Sequence, residues 1–179
     1  MKKTLILSLM AGFIFTACGG GGEEPATQTP AEETTSNETE AAVADEADDM
    51  RTETLVVVIE GNDQMKYNID RIDAYAGQTV QLTFKNVGEM PKETMGHNWT
   101  LLQKGVELQD FAMAAMNAKD NDYLPADRMT DVYAHTALLG PGEEETIEFI
   151  APDEAGPYKF LCTFPGHFGS MQGIFFVKE

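Results

Sequence analysis

The chain has 179 residues and is strongly acidic, with 12 Lys plus Arg against 30 Asp plus Glu and a formal net charge of −18. A balance so poor in cations argues against nucleic acid as a partner, because phosphate contacts need clustered basic side chains. Two cysteines cannot build a disulfide scaffold, so any folded part must rest on an ordinary hydrophobic core.

The first segment reads as an export signal. Lys2-Lys3 precedes an apolar run from Leu5 to Phe15, which ends in Thr16-Ala17-Cys18. The run falls short of the roughly 20 residues that span a bilayer. Two readings of its end stand side by side. One is a generic cleavage site with Cys18 incidental. The other takes Phe15-Thr16-Ala17-Cys18 as similar to a bacterial lipoprotein box, with Cys18 lipidated as the mature N-terminus and Phe15 where such boxes usually carry Leu. The second reading places residues 1–17 in a lipoprotein-type signal and puts the protein in the cell envelope, facing the periplasm or the outer surface.

Residues 18–53 open on Gly19-Gly20-Gly21-Gly22 and continue in Glu, Asp, Thr and Ala, without an aromatic residue. Such a composition cannot bury enough apolar surface to offset the entropy of ordering. It reads as a disordered acidic tether, with a root-mean-square span of roughly 30–35 Å for about 35 residues.

From residue 54 to 179 the pattern is that of an all-β domain. Leu55–Ile59 is a β-branched run closed by the turn signal Gly61-Asn62-Asp63, and Met65–Ile69 reads as its return strand. In 79–85, Val80, Leu82 and Phe84 alternate with polar neighbours at the period of a half-buried strand. Further short strands are expected at 98–103, 132–137, 146–150, 158–162 and 173–178. One helix is expected over 108–119, where Phe111, Ala112, Ala115 and Met116 recur at helical spacing. Seven or eight strands with Gly and Pro punctuation predict a Greek-key β-sandwich carrying one short inserted helix. Trp99, the only tryptophan, belongs in its core.

The chemistry sits near the C-terminus, in Cys162-Thr163-Phe164-Pro165-Gly166-His167-Phe168-Gly169-Ser170-Met171. A thiol, an imidazole and a thioether share one short loop whose ends two strands fix, and Pro165-Gly166 supplies the turn between the first two. A second imidazole, His97, lies upstream. A thiolate and two imidazoles with a weak thioether make the trigonal set of blue-copper sites, in which the axial ligand tunes the redox potential. Alone, His97 would read as a structural histidine and Met171 as core. The third histidine, His135, reads as a non-ligand near the surface. Met113, Met116 and Met129 could suggest a second copper(I) site, but methionines near a helix more often serve as core or contact surface. Disulfide pairing of Cys18 with Cys162 is the bland alternative for the thiols.

Four segments taken in order, Gly61-Asn62-Asp63-Gln64-Met65, Met95-Gly96-His97-Asn98-Trp99, Ala134-His135-Thr136 and Cys162–His167, resemble the azurin family of cupredoxins. The resemblance runs from about Val57 to Lys178. It implies His97, Cys162 and His167 as strong copper ligands, Met171 as a weak axial one, and the Gly96 carbonyl as a weaker one opposite. It implies that the N–H groups of Asn98 and Phe164 donate to the Cys162 sulfur, and that the Asn98 side chain ties its loop to Thr163. Met90, Met95 and Phe168 would ring the edge of His167 as a docking patch. Where family members carry a disulfide, near Leu55 and Gly77, this chain has no cysteine; where they often carry a buried histidine, it has Asn86.

The expected function is that of a monomeric one-electron carrier holding one copper. Its partners would be envelope redox proteins such as c-type cytochromes or copper and haem reductases and oxidases, with the membrane reached through the lipid. Copper storage or delivery is the alternative. An enzyme is not expected, because a catalytic copper would need further histidines and a dinuclear oxidase centre a second loop cysteine.

Overall fold

The computed structural model describes residues 51–179; the signal, Cys18 and the tether lie outside the described residues. Nine strands form two sheets. The four-stranded sheet has the order β2-β1-β4-β7, built from β1 (Leu55–Asn62), β2 (Lys66–Tyr67), β4 (Thr79–Asn86) and β7 (Glu144–Ile150). The five-stranded sheet has the order β3-β9-β8-β5-β6, built from β3 (Arg71–Tyr75), β9 (Gln172–Lys178), β8 (Gly156–Leu161), β5 (Thr100–Leu102) and β6 (Val132–His135). The pairs β1–β4 and β3–β9 are parallel, which requires crossovers between the sheets and gives a sandwich its Greek-key character.

Period-two burial explains these strands. Along β4 every second residue is buried, and Val80, Leu82 and Phe84 have no exposed surface. They meet Ile59 from β1, Phe160 from β8, Phe175 and Val177 from β9, and Trp99, all of them buried in the same cluster. Nine strands stand where seven or eight were expected. The extra one, β3, also alternates, with Ile72 and Ala74 buried between exposed Arg71 and Asp73. Asp and Ala are poor strand formers, and pairing with β9 outweighs that propensity. The expected strand over 65–69 shrinks to two residues, and the one over 98–103 to three.

A second apolar cluster lies over the five-stranded sheet. Helix α2 (Leu108–Ala115) follows the short α1 (Lys92–Met95) in the chain and turns Leu108, Phe111, Ala112 and Ala115 inward at i, i+3, i+4 and i+7. The first three meet Leu102, Val132 and Leu161. The helix stops four residues short of its expected end. Beyond it the chain enters a 3₁₀ turn at Lys119–Asn121, then Asp122 and Tyr123 at φ of 50° and 60°. The stop itself comes earlier, where the Asn117 and Ala118 N–H groups bond three residues back and Ala118 leaves helical geometry at φ of −101° and ψ of 36°.

All the elements that carry the expected ligands end at the same edge of the sandwich. The loop after β8 leaves at Leu161 and returns at Gln172, the first residue of β9, which pairs with Leu161, while His97 forms an isolated bridge with Leu139 just before β5. Gly173, near the start of β9, faces Phe160 across the ladder; a methyl group there would overlap the Phe160 ring and the Asp70 carbonyl. Gly173→Ala should therefore destabilise the domain by about 1–3 kcal/mol or more through overpacking, read as a lowered midpoint in thermal unfolding.

Candidate metal centre

His97, Cys162 and His167 converge. The Nδ1 atoms of the two imidazoles are 3.1 Å apart. The Cys162 Sγ lies 3.9 Å from His97 Nδ1 and 3.6 Å from His167 Nδ1. His97 and Cys162 are wholly buried, and His167 is 3 % exposed. The three residues come from two loops distant in sequence, so it is the folding of the sandwich that assembles them.

The loop geometry follows from its residues. Gly166 takes φ of 83°, a left-handed conformation in which glycine carries no penalty, and so reverses the chain between Cys162 and His167. His167–Gly169 forms a 3₁₀ turn, closed by Ser170 and Met171 N–H bonds to the His167 carbonyl. The Cys162 N–H then donates to the Met171 carbonyl at 2.9 Å and closes the loop at its base. On the other side the His97 N–H and carbonyl both pair with Leu139. The two arms are tied through Asn98: its Nδ2 donates to Thr163 Oγ1 at 2.7 Å, and its Oδ1 accepts from the Thr163 N–H at 2.8 Å.

Electrostatics fix the protonation states of the free donors. Burial pushes the Cys162 thiol up to about 12, although backbone N–H groups of Asn98 and Phe164 hydrogen-bond to it and pull the other way. Burial and the charge of His97 lower His167 to about 4. His97 is lowered too, chiefly by burial, against the opposing backbone of Asn62 and the charge of Asp63. The Asn62 backbone lies beside the ring, yet His97 Nε2 makes no hydrogen bond of normal geometry. Two neutral imidazoles and a thiol in a dry pocket are ready donors for a soft ion.

The donors fit one metal. A triangle with these three edges has a circumscribed radius of about 2.1 Å, so a point in its plane lies at ordinary metal–nitrogen distance, roughly 2.0–2.1 Å, and close to metal–sulfur distance, roughly 2.3 Å. Trigonal His₂Cys is the arrangement copper uses for electron transfer. Met171, on the same loop, is fully buried with its methyl group against Gly61: a Cβ on that glycine would sit 2.6 Å from Met171 Cε. Gly96 is buried, and its N–H donates to the Lys92 carbonyl.

A model of copper-binding proteins of the plastocyanin/azurin family matches residues 53–178. The chain belongs to that family. It is 40 % identical to azurin of Pseudomonas aeruginosa over 128 residues, which cover 68 % of this chain and 84 % of that one. It is 38 % identical to outer membrane protein H.8 of Neisseria gonorrhoeae over 117 residues, 64 % of this chain and 63 % of that one. Among solved structures, reduced auracyanin from Roseiflexus castenholzii superposes with a TM-score of 0.62 at 37 % identity, covering 69 % of this chain and 97 % of its own. Membership of the plastocyanin/azurin family makes the cofactor copper, one ion per domain, and electron transfer by copper the chemistry it implies.

Met90 is 42 % exposed, while Met95 and Phe168 are half-buried, Phe168 with one side against the α2 cluster. His135 stands apart from the donor cluster, half-buried, with Nδ1 at 3.2 Å from the Thr136 carbonyl. Met113, Met116 and Met129 are all exposed, which removes the core reading. Asn86 is buried, donating from Nδ2 to the Leu139 carbonyl and accepting from the Gly88 N–H, so it braces two loops beside the site. Sequence reading assigned no role to Tyr67 or Ser170. Tyr67 Oη donates to the Asn98 carbonyl at 2.6 Å, and Ser170 Oγ to the Met65 carbonyl at 2.8 Å. Neither residue type signals such a contact without the fold.

These protonation states set the pH dependence of metal uptake. With the thiol raised to about 12 and both rings lowered, loading the apoprotein between about pH 7 and 10 should release one proton, from Cys162. The apparent affinity should rise about tenfold per pH unit there and fall more steeply once the rings protonate in acid, as competition titrations with a chelator would measure.

Proposed function

We propose that the protein is a one-electron shuttle of the bacterial cell envelope, held to a membrane through a lipid on Cys18 and exchanging electrons with redox proteins such as c-type cytochromes or copper and haem oxidoreductases. The observation that carries the reading is the buried triangle of His97 Nδ1, His167 Nδ1 and Cys162 Sγ, with edges of 3.1, 3.6 and 3.9 Å. The similarity to outer membrane protein H.8 supports the envelope location, and the Phe15–Cys18 box with the acidic tether supports the anchor.

Bound copper would supply a single redox electron. His97, Cys162 and His167 would hold it, with the Met171 thioether as a weak ligand and the Gly96 carbonyl as a weaker one. The work of the chain is to keep those groups still. Loop bonds from Cys162 to Met171 and from Asn98 to Thr163 fix the donors before and after transfer, so little rearrangement accompanies the change of charge. Burial of the donors leaves no open position for a substrate, which supports a carrier over an enzyme. Phe164 lies on the His167 ring at 4.6 Å between centroids, and Tyr123 on Phe164 at 5.0 Å, so the ring that would face a partner is packed from behind. Docking would use Met90, Met95 and Phe168, with Val87, half exposed on the Met90 loop, extending the patch.

The copper-loaded protein should be intensely blue through thiolate-to-metal charge transfer, and Cys162→Ser should abolish the colour. Met171→Leu should keep the colour and raise the reduction potential, because the lost thioether stabilises the oxidised ion more than the reduced one. A colourless copper(II) form of the unaltered protein would refute the shuttle. Rapid handover of copper to an apo-acceptor, with slow electron self-exchange, would favour delivery.

A further inference from the structure

The hairpin joining β1 to β2 reaches each loop of the metal site. Gly61 pairs with Tyr67 and Asn62 with Lys66, and Met65 completes the turn at φ of 55°. From this hairpin, the Asp63 carboxylate accepts the N–H groups of Glu89 and Met90 at 2.8 and 3.4 Å. The Met65 carbonyl accepts Ser170 Oγ of the ligand loop. Tyr67 Oη donates to the Asn98 carbonyl, one residue beyond His97.

We propose that Tyr67 is a positioning residue for the copper centre: its hydroxyl, anchored on the Asn98 carbonyl, holds the His97–Asn98 arm so that the Asn98 N–H donates to the Cys162 sulfur, and thereby raises the reduction potential. The assignment rests on the copper reading above and names a residue outside its ligand set.

The geometry gives the hydroxyl a fixed place. The Tyr67 ring is wedged edge-on against Phe84 at 6.0 Å and tilted against Phe160 at 5.6 Å, so it cannot swing. Burial, and then the nearby Cys162 charge, raises its pKa well above the ordinary value, which keeps it a donor. The peptide it grips is held from the other end as well, since the Trp99 N–H donates to Thr136 Oγ1 at 2.9 Å. With carbonyl and N–H both bound, the 98–99 peptide plane cannot rotate. The preceding N–H of Asn98, which bonds the Cys162 sulfur, keeps its aim. Hydrogen bonds weaken steeply as they bend. An N–H bond to a ligand sulfur draws off electron density and favours the reduced metal.

Tyr67→Phe keeps the ring packing and leaves the buried Asn98 carbonyl without this donor, so the arm relaxes. A purely structural role would cost stability and leave the potential alone. Two other buried-edge tyrosines make matched controls: Tyr133 Oη bonds the Ile150 carbonyl at 2.9 Å, and Tyr158 Oη the Glu154 carbonyl at 2.8 Å, neither of them bonded to a loop of the metal site.

The test uses the full chain in copper and zinc forms. At a fixed ambient potential, Tyr67→Phe should lower the Cu(I)-to-Cu(II) ratio about two- to tenfold, the range one hydrogen bond is worth, while Tyr133→Phe and Tyr158→Phe leave it unchanged. In the zinc form, the Asn98 amide proton should shift in Tyr67→Phe alone, a readout independent of copper redox. Thr163→Val loosens the same arm from its other side, so its effect on the potential and that of Tyr67→Phe should be non-additive. An unmoved potential and amide in a folded, blue Tyr67→Phe protein would overturn the proposal, as would additive shifts. A protein that binds zinc but never turns blue would sink the electron-carrier reading; the Asn98 amide then decides the Tyr67 clamp, upheld if it moves and overturned if it does not.

Discussion

The structure turns on the burial of three metal-seeking atoms side by side. Two imidazole nitrogens lie 3.1 Å apart beside a buried sulfur, close enough for all three to share one ion. The same burial disfavours charge on the donors themselves: the thiol is pushed up to about 12 and His167 down to about 4. The rest of the sandwich can be understood as what holds this cluster together. The Asn98–Thr163 pair of hydrogen bonds, the His97–Leu139 bridge and the Cys162–Met171 bond each hold one donor against relaxation.

Rigidity here comes from many short ties and no covalent one. Cys162 is a free buried thiol, the described residues hold no disulfide, and the positions near Leu55 and Gly77 lack the cysteines common in the family. The core is therefore aromatic and dense, with Trp99 against Phe149 and Phe160, and Phe149 against Phe175. That density has a cost. The Trp99 indole N–H and the Thr100 hydroxyl are buried without partners, a penalty of about 1–3 kcal/mol for each. Trp99 follows Asn98 directly, so the core's largest side chain anchors the arm that carries His97, and apolar packing there outweighs one lost hydrogen bond.

Much of the site was legible from the chain because its chemistry is local. Cys162, His167 and Met171 share ten residues, and their loop needs only Pro165-Gly166 to turn. Strand β4 declared itself through strict alternation at Val80, Leu82 and Phe84. What escaped was non-local or contrary to propensity. Strand β3 rests on pairing with β9, about a hundred residues away, and its Asp and Ala argue against it in isolation. The early stop of α2 depends on a tightening to bonds three residues back at Asn117 and Ala118, which no Gly or Pro within 108–119 announces. Tyr67 looked like any strand aromatic, because nothing nearby in sequence shows that its hydroxyl meets Asn98, 31 positions on.

The same distinction separates the two halves of a carrier's task. Three of the expected ligands are written in one short motif, and only His97 has to be brought to it by the fold. The potential at which that metal works depends on hydrogen bonds to the sulfur, on the reach of Met171 past Gly61 and on how firmly each arm is held, all of which are set by contacts between distant segments. Gly61 illustrates this. As a sequence letter it marks a turn, yet in the fold its missing side chain is the space Met171 occupies, so a residue with no chemistry of its own limits how the Met171 thioether can sit. If the Tyr67 clamp acts as proposed, tuning belongs to the β1–β2 hairpin as much as to the ligand loop, and changes in that hairpin would alter the potential without touching a ligand.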